Sequence, residues 1–161
     1  MTQKLTPCLW FDTEAEAAAK YYTSIFPNSR ILDVSHFGEA GPRPAGMVLT
    51  VSFELDGHEF TALNGGPEFK FNEAISFQIR CETQDEVDQY WAKLTEGGEE
   101  GPCGWLKDRY GVSWQVIPKR LEELLTDPDP DRSQRAMRAM MQMKKLDVAA
   151  LEEAAMAGAV G

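Results

Sequence analysis

Apolar and polar residues alternate along several short stretches of this chain, as they do in strands that bury one face. Before Asp56-Gly57, one phase carries Met47, Leu49, Val51, Phe53 and Leu55, and the other carries Val48, Thr50, Ser52 and Glu54. The same alternation separates Ile75, Phe77 and Ile79 from Ser76, Gln78 and Arg80, and Val112, Trp114 and Val116 from Ser113, Gln115 and Ile117. We therefore expect sheets with one face packed on helices and one polar, mostly uncharged face, which Thr6, Cys8 and Trp10 join.

Apolar residues spaced as in a helix follow two of the predicted strands. KLTPCLWF and AISFQIRC each lead into a Thr-x-x-Glu pattern, Thr13 with Glu16 and Thr83 with Glu86. Such patterns predict capping boxes, in which side chains satisfy the free amides at the start of a helix. Apolar residues at helical spacing continue from each box until Pro27 and until Gly97-Gly98.

Each predicted helix is followed by extended segments that end in a hairpin, turning at Asp56-Gly57 and at Arg109-Tyr110-Gly111. The strand, helix and three strands therefore occur twice. The sequence predicts an α+β fold with two βαβββ modules forming a curved mixed sheet with a polar-lined cup, plus C-terminal helices. We assign residues 1–66 to the first module, 67–118 to the second, and 119–161 to a helical extension.

Within the extension, the prolines of TDPDPD predict the start of a helix through Arg132 and Met137 to Lys144. Asp147 is predicted to cap a last helix, with Leu146 and Leu151 as a hydrophobic staple. Methionines crowd this region and form an adaptable apolar surface, at Met137, Met140, Met141 and Met143.

Charge and composition exclude several classes of partner. The chain has 26 acidic and 16 basic residues, a formal charge of -10, which repels nucleic acid and anionic membranes. No stretch approaches the roughly 18 apolar residues that a membrane helix requires. We expect a cytoplasmic protein. Three widely spaced cysteines, Cys8, Cys81 and Cys103, favour neither a disulfide framework nor a zinc knuckle.

The doubled plan, with FDTEAEAAAKYYTSIFP near its start and DRYGVSWQV near its end, resembles the vicinal oxygen chelate superfamily of glyoxalase I, bleomycin-resistance proteins and extradiol dioxygenases. More narrowly, CLWFDTEAEAAAKYYTSIFPNS, LNGGPEFKFNEAISFQIRCET and the closing hairpin are similar to the PhnB-like group, often catalogued as demethylubiquinone methyltransferase-like. The resemblance covers about residues 4 to 118. It implies the fold, and it allows several chemistries as well as simple binding.

In metal-using members, the resemblance implies His or Glu ligands on the inward faces of the first, fourth, fifth and eighth strands. The corresponding positions hold Thr6 or Cys8, a residue between His58 and Thr61, Ser76 or Gln78, and Gln115. Serine, threonine and glutamine are weak ligands for a catalytic divalent ion, so we expect no metal and no other cofactor. NGGPEF is not followed by a helical pattern, which argues against a methyltransferase that binds S-adenosylmethionine.

The candidate substrate-binding residues lie on the expected polar face or in glycine-rich connections. They are Cys8, Trp10, Thr50, Ser52, Phe69, Phe71, Gln78, Cys103, Trp105 and Gln115. Phe69 and Phe71 either fold onto the core or form a lid over the cup. We assign no catalytic residue, although Cys103, Glu54 or Arg80 would have to supply catalysis; His36 and His58 are expected at turns or on the surface.

The sequence thus predicts a PhnB-like homodimer that holds a small organic molecule in the sheet cup. Two other functions stay open. One is a metal-dependent lyase, isomerase or dioxygenase of the same superfamily, and the other is a resistance protein that sequesters a toxic compound without turnover.

Overall fold

The structure, a computed structural model, describes residues 3–159. Strands and helices alternate through this part of the chain. The strands are β1 (Cys8–Phe11), β2 (Arg30–His36), β3 (Val48–Leu55), β4 (His58–Asn64), β5 (Phe77–Cys81), β6 (Glu99–Glu100), β7 (Trp105–Lys107) and β8 (Ser113–Pro118). The helices are α1 (Ala15–Ile25), α2 (Gln84–Thr95), α3 (Lys119–Leu125), α4 (Pro130–Met140) and α5 (Val148–Met156), and a 3₁₀ turn follows at Ala157–Ala159.

The chain divides between Phe71 and Asn72 into two compact units, which we call unit 1 and unit 2. Unit 1 contains one βαβββ module, and unit 2 contains the other together with α3, α4 and α5. The predicted α+β class and the doubled module are confirmed. The strands form two four-stranded mixed sheets, one in each module.

The sheet of unit 1 has the strand order β1-β4-β3-β2, with β1 parallel to β4 and the other pairs antiparallel. Asp56 and Gly57 join β3 to β4 with φ values of 47° and 81°, as the predicted two-residue turn requires. Val51, Phe53 and Leu55 are buried on the face that α1 covers, whereas Thr50, Ser52 and Glu54 are half-buried on the other face. The predicted phase of β3 is therefore confirmed.

The sheet of unit 2 has the order β5-β8-β7-β6, with β5 parallel to β8. Val112, Trp114 and Val116 are buried as predicted, and Gln115 lies in the opposite phase, half-buried. Ile75 departs from the prediction, because it precedes β5 and its side chain is 66% exposed. The core phase of this strand thus begins at Phe77.

The two modules start their helices differently. In α2, the hydroxyl of Thr83 accepts a hydrogen bond from the amide of Glu86 at 3.2 Å, as a cap should. The capping box predicted for Thr13 is wrong, because no side chain of the neighbouring sequence caps α1. Instead, Oδ1 of the buried Asn64 accepts from the amide of Ala15 at 2.9 Å. A residue of β4 therefore supplies this cap.

The C-terminal helices share an apolar cluster within unit 2. Its buried members are Leu121, Leu124, Ala136, Leu146, Leu151 and Ala155. Pro130 starts α4, and the Asp147 side chain accepts from the amide of Ala150 at 3.0 Å, so both predicted helix starts are confirmed. The helix α4 ends at Met140, before the predicted Lys144. Within residues 3–159, no helix is long and apolar enough to cross a membrane.

Candidate functional site

The polar face of unit 1 is largely occupied by its own hydrogen bonds. The hydroxyls of Ser35 and Thr50 lie 2.5 Å apart, on paired residues of β2 and β3. Glu54 forms an ion pair with Arg30 at 3.2 Å. Ser52 is half-buried beside this row. These contacts brace the sheet at Thr50 and Glu54.

Trp10 and Phe69 form an aromatic corner at the edge of this face. Nε1 of Trp10 donates to the carbonyl of Gly66 at 2.9 Å, so the indole N–H already has a partner. The Phe69 ring meets the indole edge-on, with centroids 5.0 Å apart, and 65% of its side chain is exposed. Gly65 lies against the Trp10 ring, where a Cβ atom would collide with the indole.

The other two candidates of unit 1 have different surroundings. Phe71 is half-buried and contacts the buried ring of Phe11 edge-on, with centroids 5.2 Å apart. Cys8 is exposed at the start of β1, and desolvation raises the pKa of its thiol. Phe71 therefore packs on the core, whereas Phe69 remains on the surface.

In unit 2, carboxamides and a hydroxyl form a chain across β5 and β8. Gln115 Nε2 donates to the hydroxyl of Ser76 at 2.8 Å, and Gln78 Nε2 donates to Gln115 Oε1 at 3.4 Å. Gln78 is paired with Gln115 in the parallel ladder. Arg80 continues the same face and binds Glu122 at 3.1 Å, so its guanidinium is engaged.

Unit 2 also contains a cavity of about 470 Å³, which we call the unit 2 cavity. It is lined by Glu73, Glu99, Glu100, Gly101, Pro102, Cys103, Trp105, Leu106, Lys107 and Ser113. Two of the candidates, Cys103 and Trp105, are therefore brought together. Trp105, Lys107 and Ser113 share one face, because Lys107 pairs with Ser113 across β7 and β8 and Trp105 pairs with Gln115.

Ser113 is the unusual residue of this lining. Its side chain is buried, the residue being 1% exposed, and Oγ has no hydrogen-bonding partner among residues 3–159. Buried polar groups in folded proteins are nearly always paired, since an unpaired one costs about 1–3 kcal/mol. The hydroxyl oxygen is closed to solvent in this conformation, so a molecule in the cavity would bond to it after a small movement of the Ser113 side chain or its neighbours.

An ion pair crosses the cavity lining. Nζ of Lys107 binds Oε1 of Glu73. The hydrogen bond from Lys107 lowers the pKa of Glu73, and the same bond raises the pKa of Lys107. Both groups therefore stay charged at neutral pH. The neighbouring carboxylate of Glu99 also raises the pKa of Lys107, and Glu99 pairs with Lys107 in the ladder of β6 and β7.

Cys103 occupies a strained backbone position at the cavity rim, with φ of 58°. Its amide donates to the carbonyl of Met143, and the amide of Gly104 donates to that of Lys144, each at 2.8 Å. The thiol lies 3.7 Å from the sulfur of Met141. The segment between α4 and α5 therefore fixes the conformation of the rim.

The residues at the implied metal positions do not fit a divalent ion. Ser76 and Gln115 hydrogen-bond to each other, and hydroxyl and carboxamide oxygens are weak ligands for a catalytic metal. His58 is exposed at its turn, where Nδ1 contacts the carbonyl of Asp56 at 3.1 Å. In the described part of the chain, no three His, Cys, Asp or Glu side chains group as a metal site would require.

Comparison with known proteins decides the family. Residues 3–117 match the family described as 3-demethylubiquinone-9 3-methyltransferase. The chain belongs to this family. Among solved structures, a PhnB protein from Bacillus cereus, described as a putative 3-demethylubiquinone-9 3-methyltransferase, is 37% identical with a TM-score of 0.65; the match covers 72% of this chain and 99% of that one. No significant match was found among curated proteins.

More distant structures share the fold of this PhnB-like family member. Protein PA1353 from Pseudomonas aeruginosa is 19% identical, with a TM-score of 0.59 and coverage of 73% of this chain and 98% of that one. The fosfomycin resistance protein FosX from Listeria monocytogenes is 15% identical, with a TM-score of 0.51 and coverage of 76% and 98%. The family and fold together place the chain in the vicinal oxygen chelate superfamily.

The candidate set of this family member is divided between the units. Cys8, Trp10, Thr50, Ser52, Phe69 and Phe71 lie in unit 1, and Gln78, Cys103, Trp105 and Gln115 lie in unit 2. Sequence reasoning missed Ser113, Lys107 and Glu73 as members of a site. The phase of β8 places Ser113 on the face of Gln115, which is a usable signal; the pairing of Glu73 with Lys107 has no local signal.

Proposed function

We propose that this chain binds a small organic molecule in the unit 2 cavity. The observation that carries the proposal is the hydroxyl of Ser113, which is buried, lines the cavity and has no partner within residues 3–159. A bound ligand would supply the missing hydrogen bond and remove the cost of an unpaired polar group. The volume of about 470 Å³ lies in the range of small-molecule sites.

The lining also supplies the mixture of groups that such sites use. Trp105 and Leu106 offer apolar surface, and the half-buried indole of Trp105 presents a large flat wall. Lys107, Glu73 and Ser113 offer charged and hydroxyl groups that fix the orientation of a ligand. The ten residues predicted from sequence remain a proposal, which these contacts support most strongly for Cys103 and Trp105.

Methyl transfer does not form part of the proposal, although the family description names it. A methyl-donor cofactor is usually held by a glycine-rich loop between a strand and a helix, whose first amides bind the cofactor. Here Gly65 and Gly66 follow β4, and the next element is the strand β5. Gly65 is moreover closed off by the Trp10 ring. The residues therefore do not fit that cofactor.

A fragment screen by nuclear magnetic resonance tests the proposal on the full chain. We expect small organic ligands to shift the indole N–H resonance of Trp105, assigned with Trp105→Phe. Ser113→Ala should weaken these ligands about tenfold, since one hydrogen bond to a buried hydroxyl is lost. Ser24→Ala is the matched control, because Ser24 is exposed on α1 in unit 1 and its hydroxyl donates to the nearby carbonyl of Tyr21. Ligands that shift only resonances of unit 1, or none at all, would contradict the proposal.

We also infer that the chain is a cytoplasmic homodimer. The apolar side chains of Met137, Met141 and Met156 support an interface, because they are 37%, 57% and 42% exposed on the C-terminal region. Light scattering after size-exclusion chromatography would give the mass of the assembly, and a monomer at micromolar concentration would contradict the homodimer. Fractionation of host cells tests the location.

A further inference from the structure

The charges that line the unit 2 cavity are unbalanced. Three carboxylates, those of Glu73, Glu99 and Glu100, share the lining with the single ammonium of Lys107. The negative charge of Glu73 is balanced by the positive charge of Lys107 in their ion pair. The side chain of Glu99 forms no hydrogen bond or ion pair among the described residues, and its charge acts on Lys107. Negative charge therefore remains at one edge of the cavity.

The second remaining carboxylate, that of Glu100, is held in place. Its Oε1 accepts from Nε1 of Trp91 at 3.1 Å, and its Oε2 lies 4.0 Å from Nζ of Lys144. The lysine is 70% exposed, so water screens most of this contact. Glu99 and Glu100 are consecutive residues of β6, so their side chains leave opposite faces of the strand, and Glu99, which pairs with Lys107, lies on the face that carries Trp105 and Ser113.

The same lining carries complementary groups for a cation. Trp105 provides an aromatic surface, and ammonium groups are attracted to the face of an indole ring. The hydroxyl of Ser113, buried and without a partner in residues 3–159, can accept a hydrogen bond from an N–H group. The chain's formal charge of -10 adds a long-range field that attracts cations.

We propose that the unit 2 cavity selects organic cations, namely small molecules that carry an amine or ammonium group beside an apolar or aromatic part. The ammonium group lies towards Glu99, one of its N–H groups bonds to Ser113, and the apolar part covers Trp105. This inference rests on the proposed function, because it assigns a ligand class to the same cavity.

Three aromatic probes of similar size but different charge test the inference: benzylammonium, benzyl alcohol and benzoate. Each is titrated into the full chain, and Kd is taken from the indole N–H resonance of Trp105. At about 0.01 M ionic strength we expect benzylammonium to bind about five- to tenfold more tightly than benzyl alcohol, and benzoate to bind most weakly. At about 1 M salt this preference should largely disappear.

A matched pair of variants separates the local carboxylate from the general field. Glu99→Gln should lower the preference for benzylammonium over benzyl alcohol about threefold. Glu153→Gln removes the same charge from an exposed position on α5 and should leave the preference unchanged. Equal effects of the two substitutions would show that the cavity carboxylate does not select the ligand.

The outcomes distinguish this inference from the proposed function. If all three probes shift the Trp105 resonance with equal Kd, or if benzoate binds most tightly, charge selection is overturned while binding in the cavity stands. If no probe shifts that resonance and the fragment screen is empty, the proposed function fails and the inference fails with it.

Discussion

The three thiols differ in burial, and this difference governs their reactivity. Burial, with a smaller contribution from Glu86, raises the pKa of Cys81 to about 12. The thiolate is the reactive form, so we expect Cys81 to be silent towards a disulfide reagent at pH 8 until the protein unfolds. Cys8 and Cys103 should react in the folded chain, because they are exposed and half-buried. The thiolate that the disulfide reagent releases per protein chain, measured before and after adding guanidinium, checks this expectation.

The burial of Cys81 also predicts how the free energy of unfolding changes with pH. The folded-state pKa of Cys81 lies above the unfolded value, so the fold favours the protonated thiol. This contribution is complete below about pH 8.5, the usual thiol pKa, and is lost as pH rises towards 12. Cys81→Ala should flatten the alkaline loss of stability in urea titrations. Equal rates of labelling for all three cysteines would contradict both expectations.

The surroundings of Asp108 predict that its substitution strongly lowers the free energy of unfolding. It is buried, and Oδ1 accepts from the amides of Tyr110 and Val112 while Oδ2 accepts from Nε1 of Trp114 at 2.8 Å. Asp108→Ala leaves three donors without this acceptor and should lower the free energy of unfolding by about 3 kcal/mol. Urea unfolding measures the loss. Asp33→Ala, at an exposed position of β2, is the control, and an equal loss there would refute the argument.

At the scale of elements, the starts of α1 and α2 share a Thr-x-x-Glu pattern but are capped by different residues. We therefore predict different losses of stability from the same Thr→Ala substitution. Thr83→Ala removes the cap of α2 and should cost about 1 kcal/mol. Thr13→Ala should be nearly neutral, because α1 is capped by Asn64 instead. Asn64→Ala should cost more than either, since its amide also donates to the carbonyl of Val48 at 3.0 Å. Urea midpoints of the three variants test this order, which equal costs at Thr13 and Thr83 would refute.

These helix starts also show which features sequence can predict. Strand phases and the Asp56-Gly57 turn were predictable, because the alternation and the turn residues are local. The cap of α1 was not, because Asn64 reaches Ala15 from 49 positions away along the chain. The same distinction holds for the unit 2 cavity. Neighbouring glycines in the sequence pointed to Cys103 and Trp105, whereas the missing partner of Ser113 depends on tertiary packing.

At the scale of the whole molecule, the C-terminal extension is an integral part of unit 2. Gln84 on α2 donates to the carbonyl of Leu146 at 3.0 Å and accepts from the amide of Val148 at 2.8 Å. Leu146 is fully buried. Leu146→Ala should therefore destabilise unit 2 by about 3 kcal/mol through the cavity it leaves. Hydrogen exchange should quicken at Cys103 and Gly104, whose amides bond to the same segment.

A chemically identical substitution serves as the control for this prediction. Leu5→Ala removes the same atoms from a side chain that is 85% exposed, and it should change stability by less than about 0.5 kcal/mol. Unchanged exchange at Cys103 in the Leu146 variant would mean that the extension folds separately from the module.

The parallel pairing of the first and last strands in each module has a consequence for synthesis of the protein. Cys8 in β1 pairs with Thr61 in β4, and Phe77 in β5 pairs with Trp114 in β8. Neither sheet can be completed until its last strand has left the ribosome, because the parallel ladder closes only then. Translation runs from the N-terminus, so the nascent chain can finish the first sheet while the second is still being made. The order in which the two halves mature is thereby set by the ribosome.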